Sequence, residues 1–314
     1  MNDLQRYLAD EFVEEYQERR LSRRDALKVI TSVTGSVLIA EGLLAACAPV
    51  PATETPTDMP PGATAASTTD PTQAPAATGT VSAEDPAVEA GPVEFPSGAD
   101  TIKGYLARPQ QEGTFPVVLV CHENRGLTPH IEDVTRRLAK AGYVGLSIDL
   151  LSRQGGSAQV GNENAPGALG GIDPAQFVQD FKNGWEYLKT LPYTDAEKVG
   201  MVGFCFGGGV TWRVAVGMPE LKAAVPFYGP PASEADIPQI QAPVLAIYGE
   251  NDTRITGTAA ATEAAMQANN KVFEKVIYPG ADHAFHNDTG TRYNAGAATD
   301  AWQRTLDWFE KYLV

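Results

Sequence analysis

Val199-Gly200-Met201-Val202-Gly203-Phe204-Cys205-Phe206-Gly207-Gly208-Gly209-Val210 is the stretch on which the fold turns. The apolar, β-branched run over 198–203 reads as a buried strand. The small residues behind it let the backbone turn sharply into a helix. Cys205 stands at the apex of that turn, and Gly203, Cys205 and Gly207 reproduce the pattern G-x-S-x-G with sulfur in place of oxygen. Glycines on both sides of a reactive residue let strand and helix approach closely while its side chain stands clear. Taken alone, the same stretch also fits a Gly-rich turn around a buried structural cysteine.

The residues downstream separate the two readings. Asp252 follows a second strand-like run over 243–249, and His283 follows a third over 272–278. Both lie just past the C-terminal end of an expected strand, where open α/β sheets place their ligands. Nucleophile, acid and histidine in that chain order match the α/β-hydrolases. A thiol attacks a carbonyl only as thiolate, and a free cysteine has a pKa of about 8.5, so it needs a base. His283 can take the proton, and Asp252 can hold the imidazole in the tautomer that faces sulfur. Glu250 and Asp236 are nearby acids, but Asp252 is the one placed directly after the strand, in Gly249-Glu250-Asn251-Asp252. The oxyanion donors expected in this fold are the backbone N–H of Phe206 and one from the loop 122–126, where Asn124 is the natural second donor.

The chain has 314 residues, with 24 Lys and Arg against 39 Asp and Glu, a net charge of −15. No basic block interrupts that acidity, which excludes nucleic acid as a partner on electrostatic grounds. Cys47, Cys121 and Cys205 are too few for a disulfide framework. Residues 1–21 carry Leu4, Leu8, Phe12 and Tyr16 at helical spacing and form a short amphipathic helix outside the domain. Ser22-Arg23-Arg24, Leu27-Lys28 and an apolar run ending in Leu44-Ala45-Ala46-Cys47 resemble a twin-arginine export signal with a lipoprotein box. On this reading 1–47 is the signal, and acylated Cys47 anchors an exported, periplasmic or extracytoplasmic protein to a membrane. The Pro-, Thr- and Ala-rich segment 48–90 is expected to be a disordered linker.

The globular domain is expected over 91–314. Strands are expected at 92–95, 102–108, 116–122, 143–149, 198–203, 222–228, 243–249 and 271–278, and helices at 131–141, 174–191, 206–217, 258–269 and 297–312. Strand alternating with helix argues a mostly parallel sheet covered on both faces. The first strands lack helices between them and are expected to be antiparallel.

Gly203-Phe204-Cys205-Phe206-Gly207-Gly208, Asp252, His283-Ala284-Phe285 and Glu123 together resemble the dienelactone hydrolase (carboxymethylenebutenolidase-like) family over most of 91–314. The resemblance implies an α/β-hydrolase fold, no cofactor, and hydrolysis of a small lactone or ester through an acyl-thiol intermediate. It also implies that Glu123 pairs with Cys205 in the resting enzyme. A carboxylate there discourages ionisation of the thiol until substrate displaces it. Of the two arginines with which the family's dienelactone enzymes hold a substrate carboxylate, Arg153 matches the first. The second position is Asn287, so Arg125 is the substitute candidate. No clustering at ligand spacing suggests a metal site. The competing reading is a membrane-tethered, non-catalytic small-molecule binder on the same fold.

Overall fold

The computed structural model describes residues 1–46 and 80–314; Cys47 and most of the expected linker lie outside the described residues. The chain begins with three helices, α1 (Asp3–Gln17), α2 (Arg23–Thr34) and α3 (Val37–Ala46). Strands β1 (Val88–Ser97), β2 (Asp100–Pro109) and β3 (Phe115–Cys121) lead to α4 (Pro129–Lys140) and β4 (Val144–Ile148). The short helices α5 (Ser157–Val160) and α6 (Ala165–Gly170) precede α7 (Pro174–Leu188) and β5 (Thr194–Phe204). Then come α8 (Phe206–Gly217), β6 (Ala223–Phe227), β7 (Val244–Gly249), α9 (Thr253–Thr256), α10 (Ala259–Ala268), β8 (Phe273–Tyr278) and α11 (Ala295–Leu313).

The strands form one sheet in the order β1-β2-β4-β3-β5-β6-β7-β8. β1 pairs antiparallel with β2, and β2 with β4; every pairing from β4 to β8 is parallel. This is the α/β-hydrolase fold expected from the sequence. β4, β6 and β7 are buried along their whole length because helices cover both faces. Successive residues of β4 show those faces: Gly145 lies against Thr135 and Leu138 of α4, whereas Leu146 and Ile148 lie against Gly184 of α7. β8 closes the sheet and is only partly covered, which suits its Glu274 and Lys275.

The domain reaches further toward the N-terminus than the expected boundary at 91. β1 starts at Val88, and Val81 is buried. The Val81 N–H donates to Asp133 at 2.6 Å, and its carbonyl accepts from Arg136 Nε at 2.6 Å, tying residues 80–87 to α4.

The larger difference lies in α1. Its amphipathic pattern is as expected, with Asn2 and Gln5 forming a capping box at its start. Instead of standing apart, it buries Leu4, Tyr7, Leu8, Phe12 and Val13 in the main core cluster. Full burial of each large apolar side chain is worth roughly 1.5–3 kcal/mol. Helix α2 packs on α1 and α6, and Val37, Leu38 and Ile39 of α3 are exposed. No helix among the described residues is long and apolar enough to cross a membrane.

Candidate active site

Cys205 sits between the end of β5 and the start of α8 with φ 57° and ψ −120°. A non-glycine residue in such a conformation costs on the order of 1–3 kcal/mol and persists only when its surroundings impose it. Here the Cys205 N–H donates to the Phe227 carbonyl at 3.1 Å, and its own carbonyl accepts from the N–H of Gly208 at 2.9 Å. The flanking glycines are required by contact. A Cβ on Gly203 would lie 2.2 Å from the Gly207 carbonyl oxygen, and one on Gly207 would lie 2.5 Å from the carbonyl oxygens of Cys121 and His122.

Asp252 leaves the end of β7 as the N-cap of α9, and its Oδ1 accepts from the Ile255 N–H at 3.4 Å. Its Oδ2 lies 2.6 Å from Nδ1 of His283, which follows β8. Nδ1 therefore carries the proton, and Nε2 is left without a hydrogen-bond partner although buried. A ring nitrogen of His283 lies within 4.8 Å of the Cys205 sulfur, and Nε2 faces the same Glu11 oxygen that the sulfur contacts. The structure thus brings together the three residues that the sequence singled out.

A fourth group enters from α1. Glu11, 3 % exposed, places its carboxylate oxygens 3.4 and 3.5 Å from the Cys205 sulfur and one of them 3.7 Å from His283 Nε2. The same oxygen accepts from Asn124 Nδ2 at 3.1 Å, and the Tyr7 hydroxyl donates to the Cys205 sulfur at 3.3 Å. Two arginines hold the helix at the rim: Arg254 lies 3.2 Å from Glu14 and stacks 4.7 Å over the Tyr7 ring, and Arg292 lies 3.8 Å from Glu15. Among the described residues, Glu11, Cys205 and His283 are also the one group of three with the spacing to hold a metal ion. That grouping exists because Glu11 is inserted between the other two.

The electrostatics follow from burial and these neighbours. Burial, then Glu11, pushes the Cys205 thiol up, and His283 opposes them. Burial works against the His283 imidazolium, yet Asp252 and Cys205 outweigh it and hold the ring well above its ordinary value. Asp252 is held low by His283 and Arg254 in spite of its burial. Asp252 thus favours the charged form of the ring on one side, while burial and Glu11 hold the sulfur on the other side as the thiol.

Two expected roles need correction. Glu123 lines the same cavity but is not bonded to Cys205; its Oε2 accepts from Asn287 Nδ2 at 2.6 Å, and Glu11 takes the place beside the thiol. Asn287, where a clamp arginine was sought, is thus the partner of Glu123. Arg153 does not line the cavity: its guanidinium bonds both oxygens of buried Asp180, at 2.7 and 2.9 Å, and also Asp100. Those carboxylates tie the guanidinium to α7 and the start of β2. Of the two expected oxyanion donors, Phe206 opens α8, where its N–H has no intrahelical acceptor, and Asn124 is buried, lines the same cavity as Cys205 and donates its amide to Glu11. Arg125 reaches the cavity rim, with its guanidinium 5.4 Å from the Phe12 ring and a hydrogen bond to the Asn162 carbonyl.

Sequence reasoning missed Glu11, Arg254 and Arg292. The signal within reach was an acid on the buried stripe of α1, one turn beyond Tyr7 and Leu8. The cavity left beside Glu11 has a volume of about 220 Å³, and its walls include Glu123, Asn124, Asn287 and Arg292.

Comparison with known proteins gives the family. The family model described as "Dienelactone hydrolase family" matches residues 102–313. A Methylorubrum extorquens protein named "Putative carboxymethylenebutenolidase" is 35% identical over 248 residues, covering 75% of this chain and 85% of its own. A crystal structure from Klebsiella pneumoniae named "Putative Dienelactone Hydrolase" superposes with a TM-score of 0.68 at 34% identity, covering 72% of this chain and 100% of that one. The dienelactone hydrolase of Anabaena variabilis superposes with a TM-score of 0.60 at 26% identity, over 73% of this chain and 100% of its own. The chain belongs to the dienelactone hydrolase family and is, with it, an α/β-hydrolase-fold enzyme that cleaves lactones or esters.

Proposed function

We propose that the enzyme hydrolyses small lactones or carboxylic esters with Cys205 as nucleophile, His283 as general base and acid, and Asp252 as the group that orients His283. The Cys205 sulfur gives its proton to His283 Nε2 and attacks the carbonyl carbon. The oxyanion accepts from the N–H of Phe206 and from Asn124. His283 then protonates the departing alkoxide, leaving a thioester on Cys205. Water, deprotonated by His283, attacks the thioester, and the carboxylic acid leaves as the thiol is restored. Asp252 keeps Nδ1 protonated throughout and stabilises the imidazolium.

The observation that carries this reading is the polarity of His283: Nδ1 is fixed by Asp252 at 2.6 Å, while Nε2 is unbonded and faces the Glu11 oxygen that also contacts the Cys205 sulfur. Arg292 and Arg125 line the cavity and offer charge to a substrate carboxylate, the part first assigned to Arg153. The relatives' names make a lactone bearing a carboxylate the first substrate to test. In the Glu11→Lys chain, where the carboxylate beside the sulfur is gone, Cys205→Ala and His283→Ala each abolish hydrolysis of activated esters; undiminished turnover in either double variant removes the proposal.

We also propose that the protein is exported and anchored through Cys47. Arg23, Arg24 and the Leu44-Ala45-Ala46-Cys47 box support this. Arg23→Lys with Arg24→Lys then leaves the chain in the cytoplasmic fraction; unchanged fractionation of that variant contradicts export.

A further inference from the structure

The proposed reaction needs Cys205 open to a carbonyl carbon, and in the intact chain it only borders the cavity of about 220 Å³, with Tyr7 and Glu11 of α1 bonded to its sulfur. Cys205 is 3 % exposed, and the groups that cover it come from α1. Glu11 bonds the sulfur and Asn124 and approaches the unbonded nitrogen of His283, so its carboxylate contacts the nucleophile, an expected oxyanion donor and the general base together. Ester hydrolysis ends with a carboxylate in that same place. The remaining contacts of α1 suit a docked ligand: Tyr7 bonds the sulfur, Phe12 is buried beneath Arg125, and Glu14 and Glu15 face Arg254 and Arg292.

We infer that α1 is a built-in, product-like occupant of the acyl site, so that the intact chain is held inactive until its leader is displaced. Glu11 stands in for the carboxylate product, and the acidic face of α1 is matched to the cationic rim. The inference rests on the proposed role of Cys205 only for its catalytic consequence, because occupancy of the site is a matter of access. Helix α1 lies on the N-terminal side of Cys47, so processing at the lipoprotein box would remove the occupant.

The test uses the full chain and two charge reversals that set α1 against the rim: Glu11→Lys, and Glu14→Lys combined with Glu15→Lys. Two quantities are read: the rate of iodoacetamide modification at Cys205, followed by peptide mapping, and the rate of p-nitrophenyl acetate hydrolysis. Reversing charges that face arginines raises the modification rate roughly tenfold or more, and hydrolysis rises with it. Asp10→Asn, on the outer face of α1 beside Arg6, leaves both rates as in the wild type. Fully buried Cys121 serves as the folding sentinel. If it also reacts in Glu11→Lys, that variant has unfolded, and the Glu14/Glu15 reversal at partly exposed side chains decides. Faster modification without hydrolysis upholds the occupant and removes the catalytic role of Cys205. A Cys205 rate equal to the wild type's in a reversal that keeps Cys121 protected overturns the inference, whether that shared rate is fast or slow.

Discussion

Phe12→Ala separates the docking of α1 from the charges of the site. Phe12 is fully buried, with the Arg125 guanidinium 5.4 Å from its ring. Truncating a buried Phe to Ala removes roughly 3–5 kcal/mol through lost transfer energy and the cavity left behind. When α1 is undocked, residue 12 meets water in either variant, so the loss falls on the docked state. At about 1.4 kcal/mol per factor of ten, even 3 kcal/mol raises the undocked population roughly 100-fold. Cys205 reacts with iodoacetamide only from the undocked state, so its modification rate rises by the same factor until it meets the limit of a free thiol. The assay is pseudo-first-order alkylation with peptide mapping, and protection of Cys121 certifies that the sheet is intact. A Cys205 rate within about threefold of wild type, with Cys121 protected, refutes the reasoning, since the expected change is some two decades.

The remaining predictions concern the frame around the site. Arg153→Ala leaves the buried carboxylate of Asp180 without its guanidinium and destabilises the fold by roughly 3–5 kcal/mol in chemical denaturation. Made in the Glu11→Lys chain, it leaves the KM for esters unchanged, whereas a raised KM at unchanged stability restores Arg153 as a substrate ligand. Gly207→Ala drives a methyl group into the carbonyls of Cys121 and His122 and costs about 3 kcal/mol or more, visible as a lowered Tm; a wild-type Tm contradicts the close contact. Asp288 bonds His130 and Arg137, which hold its carboxyl below the usual range despite burial. The unfolded chain therefore takes up this proton first as pH falls. The stability that Asp288 contributes is complete above a pH of about 4 and is lost as pH falls toward its folded value. Asp288→Asn flattens that part of the stability profile, and an unchanged slope below pH of about 4 contradicts the assignment.

All eight strands were legible in the sequence, most clearly β3 to β7. Strands covered on both faces must be apolar throughout, and β-branched runs such as Val117-Val118-Leu119-Val120 leave no competing period. The elbow was legible for a related reason, because its close contacts admit only glycine at 203 and 207. Chain order then supplied Asp252 and His283. What escaped was decided by pairs far apart in sequence. Glu11 and Cys205 are 194 residues apart, and Asn287 and Glu123 are 164 apart. The spacing of Leu4, Leu8 and Phe12 announces a helix but not the surface that receives it. Arg153 was assigned by resemblance to the family's first clamp arginine, and nothing local foretold that Asp180, on α7, would claim it. The segment 155–171 is too rich in glycine to show a period, and there α5 and α6 went unread.

The most direct test of the central claim is intact-mass analysis of the full chain, wild type beside Glu11→Lys, quenched during turnover of p-nitrophenyl acetate and then peptide-mapped. The account predicts an acetyl group on Cys205, transient and more abundant in Glu11→Lys, and none in Cys205→Ala. Turnover in Glu11→Lys with no adduct on Cys205, or an adduct on another residue, would contradict it.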